Sequence, residues 1–320
     1  MEILRGPAGL APVTGASVVA IGNFDGVHLG HQALVAAVLE ATVLRGGTAT
    51  VLTFEPHPRE VLARAAHRAA HRAVAEVPAR LQRLREKVPV LAALGVQRLV
   101  VARFNDRLRL QAPAEFAEDF LVELLRARHV VVGEGFRFGH RGAGTVDTLR
   151  EVGVRCGFTV QAVPLVSLQG VAVSSTTVRE ALDAGNLPLA SRLLGRPYAV
   201  TARVQRGKQL GRTLGYPTLN LRLHRRRVPL GGIFAVRVTG GGLEHWPGVA
   251  SLGTRPTVDV DGEVLLEVHL FDWQGDLYGA HVTVEFVAWQ RPELRFESLE
   301  ALVVQMNEDA VEARRRLAAA

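Results

Sequence analysis

SVVAIGNFDGVHLGHQALVAAVLEATVL, residues 17 to 44, runs from a short β-branched stretch through a glycine-broken turn into an apolar pattern of helical period. A strand that re-enters as a helix presents the unpaired N–H groups of the helix's first turn, a setting that favours anions. Gly30 leaves room for a ligand to approach the backbone, and His28 and His31 stand three apart, so both imidazoles can reach the same oxygens. Two solvated surface histidines beside a turn are the plainer alternative. The flanking glycines, Asp25 and the strand-to-helix setting favour a phosphate site instead.

The same grammar repeats up to about residue 185. TATVLTF precedes ARLQRLREKVPVLAAL, RLVVARF precedes PAEFAEDFLVELLRA, and HVVVG precedes DTLREVG and FTVQAVPL. Alternating β and α segments predict an α/β fold, a parallel sheet with helices on both faces. Beyond residue 195 the segments are strands, YAVTARV, IFAVRV, GVASL, VLLEVHLF and HVTVEFVAW, closed by the amphipathic ESLEALVVQMNEDAVEARRRL. They predict a small antiparallel β-barrel or sandwich with a terminal helix. VREALDAGNLPLASRLLG reads as two short helices, and the expected domains are 1–185 and 186–320.

Composition narrows the classes. With 320 residues, 48% hydrophobic and 22% charged, the chain is long enough for two cores. Its one cysteine, Cys156, rules out an intrachain disulfide and a cysteine-built zinc site, and the cytoplasm is the expected compartment. No apolar run has the length of a membrane span, and the first residues lack the pattern of a leader peptide. Net charge is +7, but arginine carries it along the whole chain, with Lys87 and Lys208 the only lysines. Without a zinc-finger or RNP-type motif, nucleic acid is not an expected partner, and polyanionic small substrates suit the charge as well. In LARAAHRAAHRAVAE, residues 62–76, Arg64, His67, Arg68, His71 and Arg72 share one helical face; without acidic or cysteine ligands nearby this reads as a solvated basic helix. Neither GNFDGVHLG nor RGKQLG fits the dinucleotide or P-loop signature.

GNFDGVHLGH, TFEPHP (53–58), VVGEGFRFG (131–139), VSSTTVRE (173–180), GRTLGYPTLNL (211–221) and EVHLFDWQGDLYG (267–279) occur in that order. Together they resemble the bacterial bifunctional riboflavin kinase/FAD synthetase family over nearly the whole chain. The resemblance implies an N-terminal FMN adenylyltransferase on a Rossmann-like nucleotidyltransferase fold, in which His28 and His31 contact the ATP phosphates and Ser174, Ser175, Thr176 and Arg179 form a second clamp. For the latter group a plain helix cap is the alternative. Gly22, Phe24, Asp25 and Gly30 belong to the first motif, and Phe54, Pro56, His57 and Pro58 match the flavin-side loop. For the C-terminal half it implies a riboflavin kinase using ATP and Mg²⁺, with Glu267 as base and Thr218 and Asn220 as oxygen ligands to metal and nucleotide. Gly211, Gly215, Pro217 and Arg291 are further expected contacts. The implied partners are thus ATP, riboflavin, FMN and FAD, with no membrane and with self-association left open. The chain departs from the family pattern at Gly135, which replaces Asp or Asn, and at Leu219, Phe234 and Ser251. An adenylyltransferase with a silent kinase half, and a flavin-sensing protein without turnover, are the alternatives.

Overall fold

The computed structural model describes residues 1–5, 10–70, 77–207, 215–225, 227–254 and 264–320. The chain divides into two compact units, one of Met1–Pro78 and Arg83–Ser174, the other of Ala79–Gln82 and Ser175–Ala320.

The first unit contains β1 (Glu2–Arg5), β2 (Ser17–Ile21), α1 (Leu29–Arg45), β3 (Thr48–Glu55), α2 (Pro58–Ala70), α3 (Leu84–Ala93), β4 (Arg98–Arg103), α4 (Asp106–Leu110), α5 (Pro113–Phe116), β5 (Ala127–Gly133), α6 (Val146–Cys156), β6 (Thr159–Val163) and a ribbon of β7 (Ser167–Leu168) and β8 (Val171–Ala172). Among the described residues the main sheet has six parallel strands in the order β1-β4-β3-β2-β5-β6. Every residue of β2 is buried, as a strand covered on both faces requires. Its side chains alternate between two cores: Val19 and Ile21 pack with Leu121, Leu149 and Val152, while Val18 and Ala20 pack with Leu34, Val35 and Val38 of α1. Strand order reverses between β2 and β5, because β3 and β4 lie to one side and β6 to the other. The crevice beyond the carboxyl ends of strands at such a reversal is where open α/β sheets bind ligands.

The second unit contains α7 (Ser175–Asp183), α8 (Leu187–Leu194), β9 (Ala199–Gln205), β10 (Thr218–Arg222), β11 (Gly232–Gly240), β12 (Leu243–Thr254), β13 (Val264–Leu270), β14 (His281–Arg291) and α9 (Leu299–Ala318). Among the described residues its strands close as an antiparallel barrel, β10-β13-β12-β11-β14-β9, sealed by pairing of β9 with β10. Phe234 and Phe286 meet edge to face inside, with ring centroids 5.0 Å apart. α9 packs outside through Ala313 and Leu317 against Ala235 and Phe271.

Several elements differ from the sequence expectation. ARLQRLREK is helical only from Leu84; Glu86 Oε2 accepts the Arg83 N–H at 2.6 Å and starts the helix there. Residues 79–82 instead lie with the second unit, where Arg179 Nε donates to the Ala79 carbonyl at 2.6 Å and Tyr198 Oη to that of Leu81 at 3.2 Å. Arg225 Nη1 donates to the carbonyls of Arg80 and Leu81, both at 3.3 Å. PAEFAEDFLVELLRA begins as α5 but widens to a π-helical segment over Ala117–Leu124. Strands β1, β7, β8 and β10 are additional to those read from the sequence. In the basic Ala-rich segment α2 extends to Ala70, while His71 and Arg72 lie outside the described residues.

Candidate active sites

In the first unit the carboxyl end of β2 runs directly into GNFDGVHLGH. The Gly22 N–H still donates to Leu52 of β3 at 3.1 Å, and then the chain turns sharply. Phe24 (φ 49°), Gly26 (φ 93°) and Val27 (φ 42°) are left-handed, a conformation rare for an aromatic or β-branched residue and typical of functional turns. Two donors hold the Asn23 carbonyl: Lys87 Nζ of α3 at 2.6 Å and Thr53 Oγ1 of β3 at 3.2 Å. Phe24 and Asp25 are buried, Asp25 to 2% exposure.

His28 is the N-cap of α1, 7% exposed, and its Nδ1 accepts the His31 N–H at 3.4 Å. With Nδ1 accepting, the neutral ring carries its proton on Nε2. The two imidazoles stack at 3.7 Å between centroids, 25° from parallel, and Phe24 lies 5.0 Å from the His31 ring. The first turn of α1 contains no acidic residue, which suits an anion. Gly30 sits in close quarters, since a Cβ there would stand 3.1 Å from His28 Cε1 and 3.4 Å from the Val173 carbonyl, tight enough to press on the His28 ring. That carbonyl immediately precedes Ser174, so the start of VSSTTVRE lies beside the histidine turn. Ser174 closes the first unit; Ser175, Thr176 and Arg179 stand on α7 in the second.

At the end of β3, Phe54 leads into a cis Glu55–Pro56 bond, His57 Nδ1 accepts the Arg59 N–H at 3.2 Å, and Pro58 opens α2. Phe54 meets Phe104 edge-on at 6.0 Å and Phe116 at 6.3 Å; Phe116 contacts Phe138, which stacks on Phe136 at 5.5 Å. These rings form an aromatic wall. Gly135, two residues past β5, has open space where a Cβ would stand and no positive φ.

In the second unit the site is built by register. Glu267 of β13 lies opposite Asn220 of β10 on one side and Ser251 of β12 on the other, so the three share one outward face of the barrel. Thr218, two residues before Asn220, shares that face and pairs with His269. Asn220 is nevertheless only 8% exposed. Its amide fills the place a Cβ would take at Gly207, so only glycine fits there. Ser251 Oγ donates to Glu293 Oε1 at 3.2 Å. His269 Nδ1 lies 2.9 Å from the Pro217 carbonyl, and its ring is 4.8 Å from that of Tyr216. Tyr216 donates to Asn307 of α9; burial, with the Asp309 carboxylate, raises the pKa of its hydroxyl and keeps it protonated. Gly215 has φ 82°, and Gly211 lies outside the described residues. Arg291 is committed within the unit: its Nε donates to Asp309 Oδ1 at 2.7 Å and its Nη1 to the Pro292 carbonyl at 2.9 Å.

The sequence reading did not single out Lys87, Thr53, Phe104, Phe116 or Glu293. Lys87 alone left a signal, as one of two lysines in a chain otherwise using arginine.

A switch-point turn carrying two imidazoles, and separately a barrel face carrying one carboxylate among amide and hydroxyl oxygens, are two candidate centres, one in each unit. Comparison with known proteins gives the family. Residues 11–177 match the sequence model of FAD synthetase and residues 194–317 that of riboflavin kinase. A bifunctional riboflavin kinase/FMN adenylyltransferase of Pseudomonas fluorescens is 46% identical, over 98% of this chain and 97% of its own, and that of Escherichia coli K12 is 42% identical over the same shares. The chain belongs to the bifunctional riboflavin kinase/FMN adenylyltransferase family and is an enzyme of two-step flavin synthesis. A crystal structure named as a macrolide-efflux protein from Streptococcus pneumoniae has the same fold, with TM-score 0.77 and 29% identity, covering 93% of this chain and 94% of that one. Among the described residues, no helix of this chain is long and apolar enough to cross a membrane.

Proposed function

We propose that the two steps, riboflavin and ATP to FMN and ADP, then FMN and ATP to FAD and pyrophosphate, are divided between residues 186–320 and 1–185. In the adenylyl transfer an FMN phosphate oxygen attacks the α-phosphorus of ATP and pyrophosphate leaves. Such in-line displacement needs positioning and charge neutralisation more than a covalent nucleophile. His28 and His31 supply preorganised donors at the N-terminus of α1, where the helix itself favours the developing negative charge. Gly22, Phe24, Asp25 and Gly30 shape the turn. Ser174, Ser175, Thr176 and Arg179 are the matching hydroxyl and guanidinium donors for the triphosphate. Phe54, Pro56, His57 and Pro58 form the flavin side, where the wall of Phe136 and Phe138 offers apolar faces to a flat ring.

In the kinase step Glu267 takes the proton of the ribityl 5′-hydroxyl as that oxygen attacks the γ-phosphorus of ATP. The position of Asn220 and Thr218 on the same barrel face as Glu267 fits Mg²⁺, which prefers hard oxygen ligands and shares them with substrate phosphates. When bound, the ion would neutralise charge on those phosphates; Thr218 and Asn220 would hold it. Gly211, Gly215 and Pro217 shape the adjoining loop. Arg291, held by Asp309, is a further contact to the substrates.

Carrying this reading above all is the cross-strand trio Asn220, Glu267 and Ser251, which puts one carboxylate between two neutral oxygen-bearing side chains. A cytoplasmic location is supported by the single-cysteine composition. Incubation with riboflavin, ATP and Mg²⁺, followed by separation of flavins, should yield FMN and FAD, and EDTA should stop both. FAD formed only from supplied FMN would show the kinase half to be silent.

A further inference from the structure

The turn that presents His28 and His31 is braced from other elements as well as by its own bonds, the Val27 N–H to the Phe24 carbonyl at 3.4 Å and Gln32 Nε2 to the Val27 carbonyl at 3.0 Å. Its left-handed residues Phe24 and Val27 are both fully buried, and the carbonyl just before them, that of Asn23, receives two side-chain donors from other elements. The shorter bond comes from Lys87, which is 4% exposed. Lysine is among the residues least often buried, because taking an ammonium out of water is costly without strong partners. A 2.6 Å charge-assisted bond is such a partner, and it is stronger than a neutral one. Around Lys87 the helix is anchored at both levels: Glu86 fixes its start on the Arg83 N–H, and Leu91 is fully buried in the α1-side core. The ammonium is thus delivered from a rigid element to the residue on which the turn pivots.

The geometry points to Lys87 as a positioning residue for adenylyl transfer: its ammonium holds the Asn23 carbonyl and with it the turn in the form that presents the two imidazoles. This rests on the phosphate role given to His28 and His31. Lys87 touches neither substrate nor reacting atoms in this account. It acts through the backbone at Asn23, with Thr53 as the weaker second tie.

The test uses the full chain, whose riboflavin phosphorylation reports folding independently of the turn. Lys87→Met should lower kcat for FAD formation from FMN by about 30- to 100-fold, the scale of a displacement near 1 Å at a reacting centre. Kinase kcat should stay within twofold of wild type. Lys87→Arg, which keeps charge and donor, should recover most of the loss, and Thr53→Val should cost about fivefold, the scale of one neutral hydrogen bond. In a His28→Ala background Lys87→Met should add little, because both act through one unit. Should Lys87→Met not fold, Lys87→Gln and Thr53→Val carry the same comparison. Three results overturn the proposal: FAD formation by Lys87→Met within twofold of wild type, equal losses in both activities, or full additivity with His28→Ala. If His28→Ala itself leaves FAD formation intact, the phosphate role of the turn has failed; if it removes FAD formation and Lys87→Met does not, only the role of Lys87 has.

Discussion

In the first unit the imidazoles stand on a turn whose backbone is left-handed at Phe24, Gly26 and Val27 and whose shape depends on ties from α3 and β3. In the second, Glu267, Asn220 and Ser251 stand on three neighbouring strands whose hydrogen-bond register sets them side by side, with Ser251 also tied to Glu293 and Asn220 packed against Gly207. One centre is held by a few specific side chains and the other by a continuous ladder. The difference teaches where each is vulnerable. Changes outside the reacting groups should reach the first centre through single bonds, whereas the barrel centre should respond mainly to its own residues and to whatever presses directly on them.

The strongest challenge to this contrast is Glu267→Gln. The amide keeps volume and polarity but accepts no proton, so FMN formation from riboflavin should fall by about 100- to 10,000-fold while FMN adenylylation is unchanged. FMN formation near the wild-type rate would remove Glu267 as base. His28→Ala and His31→Ala should mirror it, each lowering FAD synthesis by about 100- to 1000-fold with riboflavin phosphorylation preserved. Full FAD synthesis by both would refute the imidazole role. Gly207→Ala asks whether the barrel face can be disturbed from outside: a Cβ would displace the Asn220 amide, and kinase kcat should drop about tenfold without loss of FAD formation from FMN. An unaffected kinase would show that Asn220 can move without consequence. The smallest effect is expected at Gly135, where the backbone accepts any residue and the space is open. Gly135→Asn should lower KM for FMN by about fivefold, the worth of one hydrogen bond, at unchanged melting temperature. An unchanged KM would place this position away from flavin.

Much of the fold could be read from side-chain period. The buried run SVVAI, the glycine turn and the periodic helix after it gave the α/β half, and alternation such as VLLEVHLF gave the barrel, whose β13 alternates buried and half-buried along its length. Strand β1 escaped because EILR is a short edge strand, largely exposed, with no apolar face to read. Strand β10 escaped although TLNLR alternates polar and apolar residues, because five residues with only two apolar ones are too short a run to stand out. The candidate site residues came from local motifs, and contacts reaching them from elsewhere in the chain left no mark in those motifs. Lys87 sits 64 residues from Asn23, and nothing in LREKVPVL distinguishes a buried ammonium from a solvated one. Arg291, named from a motif, bonds to Asp309 of α9, a pairing that no local pattern announces.

Residues 79–82 carry a consequence for how such a chain could be rearranged. They join the second unit although the chain before and after them belongs to the first. The second unit is therefore not a cassette that a single cut can lift out. A segment excised at Ser175 would leave behind Leu81, completely buried where it stands, and the carbonyls to which Arg179, Tyr198 and Arg225 donate. Any transplant, permutation or gene fusion that moves the barrel must bring these four residues along, or replace the short ledge they provide.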